Sequence, residues 1–151
     1  MPIHVYICDR ADVDRLKKML AYDPYLDPNI IPHRSEKDLE RMSDEDKKLM
    51  AEEDKRVSEN LAQLKSDVFF DVIFARQEYE LIDGVTLGLD KEKYYLYMKS
   101  NEEFLEKSDK KLEKNFNGVK RADKITENKV IAFVEERNSK ADAGFGSIFG
   151  A

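Results

Sequence analysis

The sequence predicts an α+β fold: a small, mostly antiparallel (mixed) sheet covered by helices, in a single compact domain with one long charged helix. Three observations predict it. Short runs of β-branched and aromatic residues occur at 3–8, 66–76 and 94–98. Longer stretches between them repeat their apolar residues at helical spacing. The strand-like runs after residue 66 follow one another through turn signals, Asp83-Gly84 and Leu89-Asp90-Lys91-Glu92, as an antiparallel meander does.

The run 66–76 is the densest apolar stretch, with Val68, Phe70, Val72 and Phe74 alternating against Phe69, Ile73 and Ala75. Apolar residues on both faces predict a central strand at 68–75. Ile3, Val5 and Ile7 alternate with His4, Tyr6 and Cys8 in a second strand of the same sheet. Asp9 and Asp12 are candidate caps for a helix over 13–21, whose side is Val13, Leu16, Lys17 and Leu20. Pro24, Pro28 and Pro32 make 23–34 a loop, yet Tyr25, Leu26, Ile30 and Ile31 give it apolar content.

Ser35 and Ser43 each precede acidic residues, the pattern of two helix starts. The second helix is predicted over 44–65. Met50, Val57 and Leu64 recur every seven residues with Leu61 beside them, but Glu53 and Asp54 interrupt the seam and disfavour a coiled coil. Segments 77–83, 85–89 and 94–98 read as strands. Asn101 caps a helix over 102–115, which Asn117-Gly118 ends. A last helix is predicted over 124–138, with a strand at 130–134 as the competing reading. The domain is therefore 1–138, followed by a Gly-rich C-terminal tail, 139–151.

A net charge of −6, from 32 acidic and 26 basic residues, disfavours sequence-independent binding to a phosphate backbone. The one cysteine, Cys8, excludes a disulfide framework within the chain. No apolar run has the length of a membrane span, and the first residues lack a signal-peptide pattern. A cytoplasmic protein is expected.

The end of the first strand is the most tempting place for chemistry, because ligands sit at strand ends in α/β sheets. A cysteine phosphatase needs an arginine six positions after its thiolate; Asp14 holds that position and Arg15 follows it. A phosphotransferase of the haloacid dehalogenase type needs Asp-x-Asp, which Asp9-Arg10-Ala11 lacks. Asp9 and Asp12, joined by Asp71 from the middle of an apolar strand, form a candidate Mg²⁺ set, since hard cations take carboxylate oxygens. Strand, acidic turn and helix resemble the opening of a response-regulator receiver domain, with 67–71 in place of its phosphoacceptor strand. That resemblance implies Mg-dependent hydrolysis or phosphotransfer. Without it, no cofactor is expected. Two histidines, His4 and His33, cannot make a three-His zinc site.

Lys110, Lys111, Lys114, Lys120 and Arg121 are the best nucleic-acid candidates. Glu106, Asp109, Glu113 and Asp123 are interleaved, so the segment reads as a solvated mixed-charge face, and nucleic acid is a disfavoured partner. The leading expectation is a non-enzymatic accessory or assembly subunit that binds another protein. Its candidate contacts are Tyr25, Ile30 and Ile31 in the proline-spaced loop, and Phe145, Ile148 and Phe149 in the tail.

Overall fold

The computed structural model describes residues 1–32, 34 and 36–149, with side chains for all of these except Lys37, Asp38 and 142–149. The elements are β1 (Ile3–Asp9), α1 (Val13–Ala21), α2 (Glu36–Glu40), α3 (Asp44–Lys65), β2 (Glu78–Asp83), α4 (Gly84–Leu87), β3 (Lys93–Lys99), α5 (Glu102–Asn115), β4 (Val119–Arg121) and α6 (Lys124–Phe149). Two compact units emerge. One comprises Met1–Met19 and Gln77–Ala151; the other is the intervening Leu20–Arg76.

The first unit holds the sheet, ordered β2-β3-β1-β4 with every pairing antiparallel. The α+β class and the place of β1 inside the sheet are as the sequence predicts. In β1, Val5, Tyr6 and Cys8 are buried, so both faces of the strand are covered. On one face Val5, Ile82, Tyr95 and Tyr97 pack with Val130 and Val134 of α6. On the other, the Tyr6 hydroxyl reaches α5, hydrogen-bonded with Ser108 at 3.0 Å, while Arg15 of α1 stacks on Phe116. Burial of each such side chain contributes about 1.5–3 kcal/mol.

Local chemistry explains several elements the sequence does not predict. Residues 85–89 form no strand. Asp83 accepts from Val85 N–H and starts the single turn α4, and Gly88 ends it at φ 69°. Gly84 is required there: a Cβ would fall 2.7 Å from the Lys93 carbonyl and closer still to that of Asp90. β4 is only three residues long, too short for a periodicity to register, and is set by Asp9 N–H to Gly118 O at 2.8 Å and Ala122 N–H to Val5 O at 2.8 Å. Residues 130–134 are helical, and α6 continues past residue 138 to Phe149, through the Gly-rich segment expected to be a tail.

The second unit contains the main correction. Residues 68–75 are not a central strand but a series of turns followed by a 3-10 turn at Phe74–Arg76. Asp67 supplies the reason. Its carboxylate accepts from Phe69 N–H at 2.9 Å and its carbonyl from Phe70 N–H at 3.1 Å. An aspartate that bonds to the following backbone competes with a ladder. The apolar residues still reach an interior, since Val72, Ile73 and Phe74 are buried, but Val68 is 78% exposed.

Candidate functional site

Helix α3 begins at Ser43, whose hydroxyl accepts from Asp46 N–H at 3.2 Å. Asp44, Glu45 and Asp46 in its first turn and Lys65 in its last suit the helix dipole. Its 22 residues span about 33 Å. None of them is buried. Met50, Glu53, Val57 and Leu61 are half-buried on one side, and Leu49 is 60% exposed. Helices of globular proteins draw most of their stability from an apolar face that packs. Among the described residues this face is incompletely covered.

The proline-spaced loop lies beside α3. Arg34 binds Asp54 at 2.7 Å and Glu53 at 3.2 Å. Ile30 and Asn29 line a groove with Asn60, Gln63 and Leu64. Ile30 and Ile31 are half-buried. Tyr25 is half-buried too, edge-on to Phe70 at 5.7 Å and beneath the Arg76 guanidinium at 4.9 Å. The most exposed apolar side chain of the loop is instead Leu26, at 67%. Leu26, Leu49 and Val68 are thus the most exposed large apolar side chains of the Leu20–Arg76 unit among the described residues. The signal that could have separated them is local: Leu49 has an acidic residue at each helical neighbour position, and Val68 follows a turn-forming aspartate.

The strand-end loop of the first unit is held together differently. Lys93 is ion-paired with Asp9. Asp9 and Asp12 both press against Gly118, where a Cβ would meet the Asp9 Cβ at 2.9 Å. Asp9 precedes a 3-10 turn at Arg10–Asp12, not α1 itself, and makes no side-chain cap bond there. Asp71 is exposed in a turn, so the argument from a charge inside an apolar strand no longer applies to it. Among the described residues no group of three or more His, Cys, Asp or Glu could hold a metal ion. Burial pushes the Cys8 thiol up to about 12, with Asp12 and Asp9 adding to the effect, which disfavours the thiolate.

A polar cluster lies between β1, α5 and β4. Asp109 accepts from the Tyr6 hydroxyl and meets His4 Nδ1 at 2.9 Å. Arg121 joins Asp109 at 3.3 Å to Glu127 at 3.1 Å, and Glu127 accepts from Val5 N–H at 3.4 Å. Burial and the Asp109 hydrogen bond push the Tyr6 phenol well above its ordinary value. Ser108 is fully buried and bonded to Tyr6 at 3.0 Å, so it cannot meet a substrate. The cluster ties the edge strand to the helices. It also commits Arg121 to carboxylates rather than to phosphates. Lys110, Lys111 and Lys114 lie on α5, and Lys120 on β4. Phe145, Ile148 and Phe149 fall on the last turns of α6, and their side chains lie outside the described residues. Among the described residues no helix is long and apolar enough to cross a membrane. No family model, no curated protein and no solved structure matches the chain.

Proposed function

We propose that this chain is a non-enzymatic interaction protein, an accessory or assembly subunit that docks on another protein through the exposed face of α3 and the loop beside it. The observation that carries the reading is a helix of 22 residues with none buried. Leu49 on α3, and Leu26 and Val68 elsewhere in the same unit, are open to water. Together they give this unit apolar surface of the kind that contacts use. The C-terminal Phe145, Ile148 and Phe149 belong to the same proposal as a second contact. The single buried Cys8 suits a cytoplasmic protein, where thiols stay reduced.

The test compares the wild-type chain with Leu26→Asp, Leu49→Asp and Val68→Asp as baits in the native host. A protein that co-purifies with wild type and is lost from the variants, with melting temperatures unchanged, supports the reading. Identical co-purification from all four chains refutes it.

A further inference from the structure

We infer that the occupant of the α3 face is a basic amphipathic helix of another protein, anchored on Leu49. The inference rests on the interaction reading above and names the partner's chemistry.

On a helix the side chains beside a given position are those three and four residues away in each direction. For Leu49 these are Glu45, Asp46, Glu52 and Glu53. All four are carboxylates, so the exposed leucine sits inside an acidic ring. Glu53 is tied to Arg34 at 3.2 Å. Glu45, Asp46 and Glu52 have no ion pair among the described residues. The dipole accounts for Glu45 and Asp46, which lie in the first turn. Glu52, two turns in, has Lys55 and Arg56 at helical neighbour positions but is ion-paired with neither among the described residues. Lys47 points elsewhere around the helix, whereas Lys48, three residues after Glu45 and four before Glu52, flanks the ring on one side without an ion pair to either among the described residues.

The charge of the chain is concentrated in this unit. Residues 20–76 hold 14 acidic and 9 basic residues, five of the six net negative charges. A helix with leucine on one side and lysine or arginine flanking it matches both the apolar point and its ring. Leu64, fifteen residues further on, lines the groove with Ile30 and offers a second anchor about 22 Å away. A second copy would set the acidic ring against itself, because an isologous contact brings the same patch together. Nucleic acid and anionic membranes are repelled in the same way.

The experiment uses the full chain and two synthetic helical peptides of about 18 residues, long enough to reach both anchors. They share one leucine pattern; one carries lysine at every other surface position and the other glutamate. Fluorescence anisotropy reads binding, and sedimentation reads self-association. The lysine peptide is expected to bind wild type more weakly as salt rises. Leu49→Ala should weaken it about tenfold or more, the loss of a central anchor. Glu45→Gln with Glu52→Gln should weaken it too, whereas the distant pair Glu106→Gln with Glu135→Gln should not.

Equal binding of both peptides, lost in Leu49→Ala, would keep the docking face and discard the basic partner. Equal loss in the distant pair would discard it as well, leaving net charge alone. A dimer broken by Leu49→Ala would replace the partner with a second copy. Binding of neither peptide, or binding indifferent to Leu49→Ala, would overturn both the partner and the docking face.

Discussion

Arg76 donates from Nε to Asp23 Oδ2 at 2.9 Å, across 53 positions of sequence, and thereby fastens the two ends of the Leu20–Arg76 unit to each other. Hydrogen bonding from Arg76, helped by Tyr25 N–H, holds the Asp23 carboxyl below the usual aspartate value. The stabilisation is therefore complete above the unfolded value of about pH 3.9 and is lost as pH falls through the lower folded value. Arg76→Gln should raise the Asp23 titration midpoint in a carboxyl NMR titration. It should also speed amide exchange throughout residues 20–76 at neutral pH. An unmoved midpoint would count against the clasp.

Exposed and buried leucines of the same chain should part company in thermal melts. Leu16 is fully buried, and Leu16→Ala should cost about 2–5 kcal/mol. Leu49→Ala should stay within about 0.5 kcal/mol of wild type. A large loss at Leu49 would mean that it packs inside this chain after all.

Gly84→Ala should destabilise by at least about 1–3 kcal/mol, because the new methyl meets backbone carbonyls that cannot swing aside. Gly88→Ala meets no neighbour within 4 Å and is strained only by its positive φ. Urea unfolding should rank Gly84→Ala as the more damaging of the two.

Tyr6→Phe removes the donor to Asp109 and leaves the fully buried Ser108 hydroxyl without its partner, at a cost of about 1–3 kcal/mol. The double variant Tyr6→Phe with Ser108→Ala should cost less than the sum of the single changes. Additive losses in a double-mutant cycle would show that the two hydroxyls do not interact.

Cys8 offers a probe of the sheet. Buried and with its thiol pushed up to about 12, it should resist iodoacetamide at neutral pH until β1 comes away from β3. Rapid labelling of the native chain would contradict the position of β1.

What the sequence discloses, and what it conceals, follows from the range of the interactions. β1 is readable because its alternation is real on both faces, and α3 and α5 are readable because Ser43 and Asn101 are true caps. The run around Val68 misleads because hydrophobicity reports burial, not backbone conformation. The turn is decided by the Asp67 carboxylate, one polar atom in an apolar stretch. β4 escapes notice because its pairing with β1 is fixed by residues more than a hundred positions apart. The acidic ring of Leu49 is wholly present in the sequence. Its meaning depends on the leucine being uncovered, which periodicity alone does not reveal.

The pairing of β1 with β3 sets Cys8 opposite Tyr94, 86 positions downstream. During synthesis the first strand therefore waits, with no neighbour on either side, until the whole Leu20–Arg76 segment has emerged. Closing so long a span is entropically slow. A clasp between Asp23 and Arg76 that formed early would shorten the loop to be closed, linking the pairing of the strands to an ionic contact far from them in sequence.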